Sequence, residues 1–84
     1  MLTHLFSATI TGNISDNQNG LPLIGASVYL KGTSLGATTD EFGQYFIMPV
    51  PIGKYTLIVK YLGYEDLMQE INVKEDIKIK FDFS

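Results

Sequence analysis

The sequence predicts an all-β fold: seven short strands forming an antiparallel sandwich of two facing sheets. Three observations carry this. Apolar and polar residues alternate with period two along most of the chain. Turn signals rich in glycine, proline, asparagine and aspartate recur every ~8–12 residues. No stretch shows convincing helical periodicity.

Residues 8–15 predict a half-buried strand, with Ala8, Ile10, Gly12 and Ile14 on one face and Thr9, Thr11, Asn13 and Ser15 on the other. A glycine inside it, Gly12, predicts a bulge or a closely approaching neighbour. Residues 16–20 are a polar loop, and Pro22 opens the stretch 22–45 around which the chain is organised. There Gly25 precedes a strand with Ala26, Val28 and Leu30 on one face and Ser27, Tyr29 and Lys31 on the other. Gly32-Thr33-Ser34 breaks the run, and the threonine-rich residues 36–40 extend again. Asp40-Glu41-Phe42-Gly43 has hairpin-loop chemistry: the aspartate caps backbone N–H groups and the glycine re-enters a partner strand.

Tyr45, Phe46, Ile47 and Met48 make residues 44–48 apolar on both faces, which predicts a strand that is central or covered on its outer side. Pro49 and Pro51 make residues 49–53 a rigid connection, because neither can donate to a ladder. Residues 54–62 form a long strand, with Tyr55, Leu57, Val59 and Tyr61 opposite Thr56, Ile58, Lys60 and Leu62. After Gly63, residues 64–73 continue with Leu67, Gln69, Ile71 and Val73 in phase. Tyr64, directly after the glycine kink, is expected to plug one end of the sandwich with its hydroxyl reaching backbone. Lys74-Glu75-Asp76 is a charged turn. In the last strand Ile77, Ile79, Phe81 and Phe83 face inward, while Lys78, Lys80, Asp82 and Ser84 face outward. Lysines on that outer face discourage edge-to-edge pairing.

Length allows one small domain, placed at residues 8–84, with residues 1–7 a short amino-terminal arm or an artificial start. A chain of this size buries roughly 60–65% of its unfolded surface, so the core is modest. There is no cysteine, hence no disulfide and no thiolate ligand. Nine acidic residues against six lysines, with no arginine, argue against nucleic acid as a partner. No apolar run approaches the ~20 residues of a membrane-spanning helix.

Candidate chemistry is thin. His4, the single histidine, lies in the arm without a partner set for metal binding or nucleophile activation. Asp40 and Glu41 lack the alternating ligand spacing of a calcium loop, so turn capping is the better account. Glu65-Asp66 and Glu75-Asp76 are similar pairs at strand ends. Residues 32–36 are glycine-rich but have neither the lysine nor the following helix of a phosphate loop. Asn13-Ile14-Ser15 fits a glycosylation acceptor but sits within a predicted strand. Tyr29, Tyr61 and Tyr64 offer either an exposed stacking platform or aromatic ends of the core. No cofactor loop, metal set or nucleophile–base pair is present, so the chain is expected not to be an enzyme.

Taken together, the motifs have a family's shape. They are Ile10-x-Gly12-x-Ile14-x-Asp16, Pro22-Leu23-Ile24-Gly25-Ala26-Ser27-Val28, Gly32-Thr33, Gly36-x-x-Thr39-Asp40-x-x-Gly43-x-Tyr45, Gly53-x-Tyr55-x-Leu57 and Gly63-Tyr64-Glu65. This pattern resembles the carboxypeptidase regulatory-like domain over residues 10–83. Two departures are mild: Ile24 stands where the family often has a second proline, and Lys60-Tyr61 replaces a small polar residue. The resemblance implies a seven-stranded, transthyretin-like (prealbumin-like) Greek-key sandwich. Gly12, Gly25, Ala26, Gly32, Thr39, Asp40, Gly43, Gly53, Tyr55, Gly63 and Tyr64 would form its structural motif. The pattern looks most like the amino-terminal extension of SusC-type, TonB-dependent outer-membrane transporters of Bacteroidota. That setting implies a non-catalytic, exported periplasmic module with no cofactor and no membrane insertion of its own. Its partners would be the plug and barrel of the same polypeptide or associated outer-membrane proteins. The alternative is a carbohydrate-binding or adhesive module of an exported surface protein.

Overall fold

The computed structural model describes residues 7–83, with side chains described through Phe81; the expectations for the arm, for His4 and for the inward Phe83 therefore lie outside the described residues. Seven strands form two sheets: β1 (Ser7–Asp16), β2 (Ser27–Leu30), β3 (Gly36–Thr38), β4 (Gln44–Pro51), β5 (Gly53–Lys60), β6 (Leu67–Val73) and β7 (Ile77–Phe83). One sheet has the order β4-β1-β7 and the other β3-β2-β5-β6. The expected sandwich is present.

Alternation places the core. Ile10 and Ile14 of β1, Tyr45, Ile47 and Val50 of β4, and Phe81 of β7 point inward from one sheet. Val28, Leu30, Leu57, Val59, Ile71 and Val73 meet them from the other. Along β1 and β2 alternate residues are buried because the pleat turns successive side chains to opposite faces, while β5 buries Leu57, Ile58 and Val59 in succession. Gln69, in phase with the inward residues of β6, is nevertheless exposed, and Leu67 is half-buried.

Four expectations need correction. The pairing is antiparallel except between β1 and β7, which run parallel from Ile10↔Ile77 to Asp16↔Phe83. Period-two alternation sets which face is buried but carries no information on strand direction. Second, the apolar strand β4 is neither central nor covered. It is an edge strand, and Phe46 (61% exposed) and Met48 (64% exposed) face solvent while Tyr45 and Ile47 are buried. Third, β4 continues through both prolines, pairing Val50 with Ala8 and Pro51 with Ser7 across a cis Met48–Pro49 bond. An edge strand tolerates proline because its outer N–H side has no ladder to lose. Fourth, residues 64–66 are not strand; β6 starts at Leu67.

Gly12 meets a close neighbour rather than a bulge. A Cβ there would lie 1.7 Å from the Ile79 carbonyl oxygen and 2.7 Å from the Tyr45 hydroxyl. Those two atoms are themselves hydrogen-bonded, Tyr45 Oη donating to Ile79 O at 2.9 Å. The register with β4 instead shifts three residues earlier, at Thr9 between Ala8 and Ile10, where the extra residue falls on β4. There the Thr9 N–H donates to Asp76 Oδ1 at 2.8 Å.

Gly12→Ala is expected to cost about 3 kcal/mol or more, because a backbone carbonyl must move and the Tyr45 bond is lost. Thr11→Ala, one position away on the outward face, is expected to cost under ~1 kcal/mol. Urea denaturation of the two variants checks the contrast.

Candidate functional site

Strand directions gather Gly25, Ala26, Thr39, Asp40, Gly43, Gly63 and Tyr64 at one end of the sandwich. β1 and β7 finish there, and three connections turn there: residues 17–26, 39–43 and 61–66. The opposite end holds the connections 31–35, 52 and 74–76.

Thr39 is the knot of this end. It is 4% exposed, and its hydroxyl donates to the Leu23 carbonyl at 2.6 Å and accepts the Ala26 N–H at 2.8 Å. Backbone bonds repeat the attachment, with Gly25 N–H on the Thr39 carbonyl and Thr39 N–H on the Ala26 carbonyl. One small β-branched alcohol thus fastens the β1–β2 connection to the end of β3. The buried polar groups it meets are all satisfied.

Asp40 follows directly. Its Oδ1 accepts the N–H groups of Phe42 and Gln44, each at 2.9 Å, so the expected capping is present. The turn is not a hairpin between paired strands, however, because β3 and β4 belong to different sheets. Gly43, at φ +74°, makes the reversal. Its carbonyl accepts the Ile14 N–H at 2.7 Å, and a Cβ there would lie 2.4 Å from Ile14 O and 3.0 Å from Pro22 Cβ. Any side chain would therefore push the turn off β1.

Tyr64 reaches a side chain, not backbone: its hydroxyl donates to the Asp16 carboxylate. Asp16 Oδ1 in turn accepts the Gln18 N–H at 2.7 Å and lies 3.4 Å from that of Asn19, ordering the start of the β1–β2 connection. The Tyr64 hydroxyl, and then the Gln18 and Asn19 N–H groups, hold the Asp16 carboxyl below its ordinary value against the opposing effect of burial. The same bond, with burial and the Asp16 charge behind it, holds the Tyr64 phenol up. Asp16 stands in the sequence motif, but nothing in the sequence pairs it with a residue 48 positions away.

Gly32 and Gly53 serve the other end. Gly32 precedes Thr33, whose hydroxyl donates to the Leu30 carbonyl at 2.8 Å and accepts the Leu35 N–H at 3.0 Å. Gly53 opens β5 beside the Tyr55 ring, and the Tyr55 hydroxyl donates to Pro51 O at 2.7 Å.

The three tyrosines do not assemble into one platform. Tyr61 and Tyr64 pack on the core with ring centroids 5.6 Å apart. Tyr29 pairs with Ile58 on the outward face of the β3-β2-β5-β6 sheet, where Lys60 Nζ stands 6.0 Å from its ring centroid. Lys60 also meets Asp66 at 3.6 Å in an exposed pair of modest worth. Among the described residues no group of three or more metal-ligating side chains comes together.

What these contacts define is a small β-sandwich of the transthyretin-like class whose distinctive residues close one end of the fold. Comparison with known proteins places it further. Residues 10–84 match the model of the CarboxypepD_reg-like domain, and the chain belongs to that family. TonB-dependent receptor P39 of Formosa agariphila is 40% identical over 65 residues, which are 77% of this chain and 6% of that receptor. TonB-dependent receptor P3 of the same organism is 36% identical over 64 residues, 76% of this chain and again 6% of the receptor. The chain thus spans a small fraction of the relatives it matches. Among solved structures, the major pilin subunit BcpA of Bacillus cereus superposes with a TM-score of 0.75 at 17% identity, over 92% of this chain and 29% of that one. The 5-hydroxyisourate hydrolase of Klebsiella pneumoniae superposes with a TM-score of 0.65 at 19% identity, over 98% and 95%. At those identities the likeness is one of fold.

Thr39→Val removes donor and acceptor together and is expected to cost about 2–3 kcal/mol, since the Ala26 N–H and Leu23 carbonyl lose their buried partner. Thr39→Ser keeps both bonds and is expected to cost about 1 kcal/mol for the missing methyl. Chemical denaturation distinguishes the two.

A pH series tests the Asp16–Tyr64 bond. Asp16, lowered from 3.8, contributes fully above that value, and its contribution is lost as pH falls through the folded-state value. Tyr64, raised from 10.0, contributes fully below that value and loses its contribution as pH rises through the folded-state value. The stability gap between the wild type and Tyr64→Phe is therefore expected to be widest between these limits and to narrow on both sides. Burial pushes Tyr45 up to about 12, an alkaline loss common to both proteins that cancels in the difference.

Proposed function

We propose that this domain is a non-catalytic accessory module of a TonB-dependent outer-membrane receptor that imports nutrients, glycans foremost. It lies on the periplasmic side, ahead of the plug and barrel, and acts by contact with the same polypeptide or with outer-membrane proteins associated with it. The observation that carries this reading is the 40% identity to a receptor of which the matched segment is only 6%. The geometry supports it from another side. Thr39, Asp40, Gly43 and Tyr64 are engaged in closing the fold, so the roles left to this domain are those of its surface.

Deleting residues 8–84 from the receptor polypeptide tests the reading. Nutrient uptake is expected to fall while the amount of receptor in the outer membrane stays unchanged. Unchanged uptake overturns the accessory role, and hydrolytic turnover by the purified domain overturns its non-catalytic character.

A further inference from the structure

Eight large apolar side chains are strongly exposed among the described residues, and four of them crown the end that Thr39 and Tyr64 close: Leu21, Ile24, Phe42 and Leu62. Leu62 is 95% exposed, the extreme of the set. They come from three separate connections that touch one another. Pro22, beside Leu21, packs against the Gly43 position next to Phe42. Gly25, beside Ile24, shares a shallow depression with Tyr61, Leu62 and Tyr64. The three connections therefore adjoin one another, and each presents exposed apolar side chains at this end. Four such side chains on adjoining connections at one end are a concentration of exposed apolar groups that suits a contact surface.

Charge is distributed unevenly along the same axis. The three connections carry Asp40, Glu41, Glu65 and Asp66 and no cation of their own; the lysine flanking them, Lys60, is committed to Asp66. At the opposite end the connections and their flanks carry Lys31, Lys54 and Lys74 beside Glu75 and Asp76. The crowned end thus offers an apolar centre with an acidic rim. A complementary partner offers an apolar face edged with lysine or arginine.

Topology selects which partner that is. Because β7 runs parallel to β1, Phe83 is paired with Asp16, and this edge strand brings the chain to the crowned end beside β1. On the receptor reading above, the polypeptide that follows this domain sets out from the same end as the apolar tips, at the β7 edge of the sheet. A partner on the same polypeptide is held at raised effective concentration by its tether, so a small surface suffices to seat it. Contacts between domains of one chain are commonly small and partly polar.

Resting on the receptor reading above, we infer that Leu21, Ile24, Phe42 and Leu62 form the face on which this domain seats against the portion of the same receptor polypeptide that follows it, a surface apolar at its centre and basic at its edge.

The test uses the full-length receptor in cells, with a photo-crosslinking amino acid replacing Leu62 or Phe42, and Ile52 at the opposite end as control. Crosslinked peptides are identified by mass spectrometry. Positions 62 and 42 are expected to crosslink within the same polypeptide, carboxy-terminal to the domain, and position 52 is not. Crosslinks from 62 and 42 only to another protein, only to a second copy of the receptor, or to nothing overturn the inference; so do equal crosslinks from 52. In a second measurement, the double variant Phe42→Glu, Leu62→Glu is expected to raise the rate of proteolysis at the junction after the domain several-fold. The thermal midpoint of the isolated 84-residue chain carrying the same pair should not move, since both side chains are exposed. A junction cut no faster than in the wild type also overturns the seat. If the crosslinks form but deleting the domain leaves uptake unchanged, the accessory role fails and the seat stands. If uptake falls on deletion and no intramolecular crosslink forms, only the seat fails.

Discussion

The hydroxyl of Thr39 is the constraint on which the closed end depends. Two facing sheets are held by apolar contact, which is strong but indifferent to how the connecting segments lie. Direction must come from hydrogen bonds. Thr39 supplies them by holding the Leu23 carbonyl and the Ala26 N–H at once, so that the β1–β2 connection is bound to the end of β3. Leu23 in turn donates its N–H to the Ile14 carbonyl, and Ile14 donates to Gly43. The strand β1, its following connection and the β3–β4 turn thereby become one unit. Tyr64 adds the β5–β6 connection to it through Asp16.

Much of this was legible in the amino-acid order, and the reason is periodicity. Inward positions such as Ile10, Val28, Leu57 and Val73 follow directly from alternation on a pleated strand. Turn residues mark where the chain reverses, and Asp40 and Gly43 act in the expected capping and reversing roles. Three features were not legible. Alternation is blind to direction, so the parallel β1–β7 pair could not be read from it. Apolar composition does not distinguish a covered strand from an edge strand with an apolar outer face, which is what Phe46 and Met48 make of β4. The target of the Tyr64 hydroxyl lies 48 residues away, and no local spacing encodes a contact of that range.

In an enzyme, polar residues that the fold does not need are the ones left to react. Here Thr39, Asp16 and Asp40 all serve the backbone around them. Membership of the CarboxypepD_reg-like family and the TonB-dependent receptors among its relatives are consistent with the proposed accessory role. The domain is a shaped object with one distinctive end, and the sheets behind it keep that end in register.

The parallel pairing of β1 and β7 has a mechanical corollary. Ser7 begins β1 at one end of the sandwich, and Phe83 finishes the neighbouring strand at the other. Tension drawn between these two points runs along the strand axis, so the rungs from Ile10↔Ile77 to Asp16↔Phe83 are loaded in shear and share the force. In a hairpin pulled from its open mouth the rungs give way in succession, like a zip. A body strung in this way behaves as a stiff link, passing a pull from one end to the other with its core intact.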